Sequence, residues 1–242
     1  MILFLLILNF LPLSDVPKID LNVDVKEHVQ EVIERLEGKS VCYAECKIHH
    51  CDRWEEVQTA LGQASFTCKL FLHIDSIDEV DSSLQFALDH SDVTGLDIRC
   101  FEGIESVMHK IKASGFPIVL ELGAKEGEEN QRALLSCLQP LRIRDATFLQ
   151  EDALDWICCH RTPIEIIVLR DEHPGLSLYK RGYPAVFSSK DFDFFAEMFN
   201  LTDRQRLAYF LQTLEFACLS DEERLEIINS AVRTTAEKEK AY

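Results

Sequence analysis

Short apolar runs alternate with amphipathic stretches from one end of the chain to the other. Eight runs, at 19–25, 41–48, 67–74, 94–98, 117–122, 141–147, 163–169 and 185–188, read as buried strands. The stretches between them carry helical periods. Val29, Val32, Ile33 and Leu36 share one face, with Gly38 placed to end that helix. Val80, Leu84, Ala87 and Leu88 form a second stripe, and Ile104, Val107, Met108 and Ile111 a third. Eight strands with intervening helices, in a length near the ~250 residues usual for that architecture, predict a (β/α)8 TIM barrel. An open doubly wound sheet is the alternative.

After the last strand the pattern turns purely helical. Thr202 with Gln205 and Ser220 with Glu223 have the spacing of capping boxes, each opening a long helix. The stripe Leu207, Phe210, Leu211, Leu214 reads as core packing. No linker interrupts the pattern, so one domain is expected over 16–233, followed by a charged tail at 234–242. Residues 1–15 form an apolar leading segment. Met1 to Leu13 is apolar enough for a signal-peptide core, but lacks a positive n-region and a small-x-small cleavage site. It also falls short of the ~20 residues that cross a bilayer. A packed segment or a misplaced start codon is the preferred reading.

Composition narrows the partners. The chain has 242 residues and a formal charge of −17, which repels phosphate backbones and argues against nucleic acid or an anionic membrane. Nine cysteines, in no disulfide or metal-pair spacing, fit a reduced, cytoplasmic setting. Secretion enters only if residues 1–13 are a cleaved signal.

In a barrel, chemistry sits where the strands end and their loops converge. Those positions are rich in carboxylates and poor in histidine, with no His-x-His or His-x-x-x-His ligand pair. Six motifs met in order then carry a resemblance. They are Pro17-Lys18-Ile19-Asp20-Leu21-Asn22-Val23-Asp24, Tyr43-Ala44-Glu45-Cys46-Lys47, Gly95-Leu96-Asp97-Ile98, Arg142-Ile143 with Thr147-Phe148-Leu149, Pro163-Ile164-Glu165, and Glu197-Met198-Phe199-Asn200-Leu201-Thr202. Together they resemble the adenosine deaminase family, most closely its branch acting on N6-methylated AMP, within the metal-dependent hydrolases of purine metabolism. The resemblance runs from Val16 to about Asn229.

That resemblance implies zinc held by histidines on strands one and five and an aspartate on strand eight. The corresponding positions here read Asn22, Asp24, Glu121 and Lys190. The general-acid glutamate falls on Ala124, although a two-residue shift would bring Glu126 there. The base histidine of G-H-G falls on Asp145, with Arg144 and Ala146 replacing the glycines. The glycine that approaches the purine falls on Cys100, and the second aspartate of the D-D pair persists as Asp191. The long insertion that covers the purine pocket is reduced to Lys26 to Ser40.

Hydrolytic deamination needs a metal-activated water and a directing base. Asn22 is a poor ligand and Lys190 a cation. The expectation is therefore a catalytically inactive pseudoenzyme without zinc or other cofactor, binding a purine-like small molecule or a protein partner, the ligand through Cys100 and Asp191. The rival is a working zinc-dependent deaminase of adenosine or N6-modified AMP; a third reading is a truncated gene product.

Other readings of the same residues stay open. Lys190 fills the vacated cation position, or points to solvent. Asp24, Glu121, Asp145 and Asp191 are the ligand type for Mg²⁺ or Ca²⁺, with Lys190 competing. Cys42, Cys46, His49, His50 and Cys51 read as core cysteines and a surface histidine pair rather than a metal site. Ser188-Ser189-Lys190-Asp191 lacks a base for a serine hydrolase. His173-Pro174 is placed to open a short helix before strand eight.

Overall fold

The computed structural model describes residues 18–25, 29–38, 41–49, 54–166, 173–187, 195–197 and 199–240. Strands and helices alternate as β1 (Lys18–Asp24), α1 (Val29–Gly38), β2 (Val41–Ile48), α2 (Trp54–Leu61), β3 (Thr67–Ile74), α3 (Val80–Asp89), β4 (Val93–Arg99), α4 (Met108–Ala113) and β5 (Ile118–Leu122). The series continues with α5 (Gln131–Leu138), β6 (Arg142–Asp145), α6 (Glu151–His160), β7 (Ile164–Ile166), α7 (Pro174–Lys180) and β8 (Ala185–Phe187). Two longer helices follow, α8 (Asp203–Glu215) and α9 (Asp221–Lys240).

The strands pair in sequence order from β1 to β8, and each of the seven pairings is parallel. Two contacts show that the sheet curls into a barrel. The Arg142 guanidinium on β6 donates to Glu45 on β2, four strands away. In a flat sheet those strands would lie roughly 19 Å apart, at about 4.8 Å per strand. Val186 of β8 also shares a buried cluster with Ile19 of β1 and Tyr43 of β2.

Strand alternation divides the side chains into two sets. Ala44, Cys46, Leu72, Ile74, Leu96 and Ile98 face outward into the main core beneath the helices. The opposite phase points into the barrel, where Tyr43, Glu45, Asp97, Arg142, Arg144 and Glu165 are all buried. Gly95 belongs to this inner set because nothing larger fits: an added Cβ would lie 2.8 Å from the Pro117 carbonyl and collide with the Phe71 ring.

The remaining helical signals held with two adjustments. Leu88 is 63% exposed and stands outside the α3 core stripe, although it lies one turn from Leu84: the buried face of α3 runs through Val80, Ser83, Leu84 and Ala87. The third stripe splits into a 3-10 turn at Ile104–Ser106 and the short α4, with Ile104 and Ile111 buried. Both capping boxes form: Thr202 and Gln205 cap α8, and Ser220 and Glu223 exchange bonds of 3.2 and 2.9 Å at the start of α9. His173 caps α7, its Nδ1 accepting from the Gly175 N–H at 2.9 Å, with Pro174 in the first turn.

The α8–α9 junction closes the end of the barrel where the strands begin. The Cys218 N–H donates to Glu45 at 2.8 Å and Arg142 Nη1 to the Phe216 carbonyl at 3.4 Å. Lys69 pairs with Glu223 of α9. Phe210 and Leu214 of α8 are buried against Ile19 and Tyr43, which gives that stripe its core role. No described helix is long and apolar enough to cross a membrane.

Candidate functional site

Asp24, Cys100, Glu121, Ala124 and Asp145 all lie at or just beyond the C-terminal ends of their strands, as the family resemblance requires. Glu126 lies further out and is exposed. Asn22 is in β1, and Lys190 and Asp191 lie outside the described residues.

The rim carboxylates are already engaged with this chain's own side chains. Asp24 Oδ1 is 2.8 Å from His49 Nε2, and Glu121 Oε1 is 3.2 Å from Arg99 Nε. Thr147 Oγ1 donates to the Asp145 carboxylate. The backbone there is unusual: Asp145 and Ala146 are both left-handed, at φ 74° and 59°. That geometry favours glycine, yet neither residue is one. It is held by the Ala146 N–H on the Leu122 carbonyl at 3.0 Å and by His173 Nε2 on the Asp145 carbonyl at 2.5 Å. Cys100 is half-buried, and its thiol is pushed up to about 11, first by burial and then by Glu128, Glu105 and Glu121. It is a poor nucleophile at neutral pH.

Below the rim runs a lattice of buried charges. His73 Nδ1 lies 2.8 Å from Asp97 Oδ1, and Arg144 Nη2 donates to the other oxygen, Oδ2. Burial acts to raise the Asp97 pKa, but Arg144, the His73 hydrogen bond and Lys47 together outweigh it and hold the carboxyl well below the usual range. Arg142 Nε donates to Glu165 at 2.7 Å and its Nη2 to Glu45, whose Oε1 also accepts from Tyr43 at 2.9 Å. Both guanidiniums stay charged: burial opposes it, and their carboxylate partners prevail. The chain of contacts runs from His73 near the mouth to Cys218 at the closed end.

Sequence reading did not bring His49 and His73 together, yet their ring centroids are 4.3 Å apart across adjacent strands. Nor did it give Arg144 a role. The available signal was strand phase. Glu45, Lys69, His73, Asp97, Arg142, Arg144 and Glu165 all carry the inward phase of strands otherwise apolar enough to be buried. Cys46 and Cys68 on the outer face place their sulfurs 3.3 Å apart as free thiols.

A zinc site of the family type does not fit the described donors. Of the positions the resemblance assigns, Asp24 and Glu121 are oxygen donors, each already facing an imidazole or a guanidinium. Among the described residues no three His, Cys, Asp or Glu side chains converge as metal ligands.

No protein-family model matches the sequence, and no curated protein matches it. Solved structures do. The apo N6-methyl-AMP deaminase of Arabidopsis thaliana superposes with a TM-score of 0.71 at 17% identity, covering 88% of this chain and 80% of that one. The Arabidopsis ADAL protein complexed with IMP gives 0.73 at 17% identity, covering 87% and 79%. The adenine deaminase of Arthrobacter aurescens gives 0.68 at 15% identity, covering 86% and 78%. The eight parallel strands, their order and these neighbours together establish that the chain has the adenosine deaminase-like (β/α)8 barrel fold.

Proposed function

We propose that this chain is a degenerate member of the adenosine deaminase-like family that binds a purine-like ligand at the barrel mouth and does not deaminate it. The supporting observation is the pair of contacts Asp24–His49 and Glu121–Arg99 at two of the family's zinc positions. Both carboxylates are engaged by side chains of the protein, Glu121 by the Arg99 guanidinium and Asp24 by the His49 ring, which leaves neither turned to a metal. Deamination also needs a proton donor and a base. Ala124 has no titratable proton, and Asp145 is held by Thr147 on a constrained backbone. The similar folds that act on or hold purine nucleotides favour a small purine-like ligand over a protein partner.

The test is an ammonia-release assay on adenosine, AMP and N6-methyl-AMP with added zinc, run beside thermal-shift titrations of the same compounds. The reading predicts no conversion above background and a saturable rise in Tm with at least one of them. Zinc-dependent ammonia release, lost in Asp24→Ala, would overturn it in favour of a working deaminase.

A further inference from the structure

A recess of about 440 Å³ opens on the flank of the barrel, in the furrow between α7 and α8. That volume falls within the roughly 300–1,000 Å³ usual for small-molecule sites. The recess lies toward the side where β8 begins, since its lining includes Lys180, at the end of α7, and Tyr183, just before β8. Asp24, Glu121 and Asp145 stand at the other ends of their strands, so the recess is separate from the mouth.

Its aromatic walls are fixed in place. Tyr183 is buried, and its hydroxyl lies 2.7 Å from both the Ile157 and the Thr162 carbonyl. The Tyr179 ring meets Phe195 and Phe199 edge-on, at centroid separations of 5.1 and 6.0 Å. Lys180 Nζ lies 5.6 Å from the centre of the Phe199 ring, within cation–π range. No carboxylate among the described residues pairs with that ammonium.

The polar groups select the ligand. Gln205 Oε1 already accepts from the Thr202 N–H and hydroxyl, each at 2.9 Å, which leaves its NH₂ to donate elsewhere. Among the described residues lining the recess none is Asp or Glu, in a chain that carries 42 of them. A cation would therefore meet Lys180 with nothing to offset the repulsion. A phosphate monoester would bring about two negative charges to a single ammonium. One carboxylate on a flat ring matches both the charge and the walls. We infer that this recess is a ligand site apart from the mouth, for a small aromatic carboxylate whose ring lies on the aromatic walls and whose carboxylate pairs with Lys180.

Calorimetric titration of the full chain with indole-3-carboxylate and indole-3-carboxamide tests it, because the two differ in charge and hardly in shape. The carboxylate should bind saturably and at least about tenfold more tightly than the carboxamide. Lys180 is exposed at the end of α7, and Lys180→Met, checked for an unchanged melt, should lose that preference. The wild-type comparison stands whether or not the variant folds. Added adenosine should leave the carboxylate's affinity unchanged. No saturable binding of the carboxylate, equal affinity for the two compounds, a preference surviving in Lys180→Met, or displacement by adenosine overturns the site.

Discussion

Replacing Asp97 by Asn probes the buried lattice at the carboxylate that His73 and Arg144 share. The carboxylate is 2% exposed and receives Arg144 on one oxygen and His73 on the other. Asparagine keeps the shape but must turn its NH₂ toward one of those groups, and the negative charge is gone. A buried pair broken on one side typically costs about 3–5 kcal/mol, because the surviving charge is left uncompensated. Glu165, 3.6 Å from Arg144, supplies part of the compensation, which places the cost near the lower limit, about 3 kcal/mol. At roughly 2–4 °C per kcal/mol for a domain of this size, Tm should fall by about 6–12 °C. The folded Asp97 pKa lies below the unfolded value, so its contribution is present above an unfolded pKa of about 4 and lost as pH falls through the lower folded value. Thermal melts of wild type and variant from pH 7 to pH 2.5 should therefore run parallel down to about pH 4 and converge below it. A variant melting within a degree of wild type at pH 7, or a gap already closed at pH 6, would refute the assignment.

Gly95→Ala should destabilise by about 1–3 kcal/mol or more in urea denaturation, since its Cβ lands on the Phe71 ring and the Pro117 carbonyl. A neutral result would mean the inner layer can shift. Thr202→Ala should cost about 1 kcal/mol by removing the cap of α8, measured by the same denaturation; no change would mean tertiary packing alone holds that end. Deleting residues 216–242 removes the Cys218–Glu45 and Phe216–Arg142 contacts that close the barrel, and the product should be insoluble or lack a cooperative melt. A soluble, cooperatively melting truncation would show that the closure is dispensable.

Apolar runs and helical stripes made the architecture legible in the sequence, because a parallel strand buried on both faces needs near-continuous apolar residues. Boundaries slipped where the last residues of a run belong to loops: the run at 141–147 gives a strand ending at Asp145, where the backbone turns left-handed. The rim was legible through the strand ends, where Asp24, Glu121 and Asp145 each stand. The inner lattice was not. Glu45 and Arg142 are 97 residues apart in sequence, and only closure of the barrel brings opposite strands within reach. His49 and His73 likewise meet through strand register. The cation at the mouth was sought in Lys190, which lies outside the described residues; Arg99 and Arg144 supply positive charge from strands β4 and β6.

On this reading the carboxylates at the barrel mouth are held by the protein's own side chains and not by a metal. Equilibrium dialysis against zinc at pH 7.5, comparing wild type with the Asp24→Ala/Glu121→Ala double variant, decides between the two. No stoichiometric zinc that depends on those two carboxylates should be retained. One tightly held zinc per wild-type chain, absent from the double variant, would contradict it.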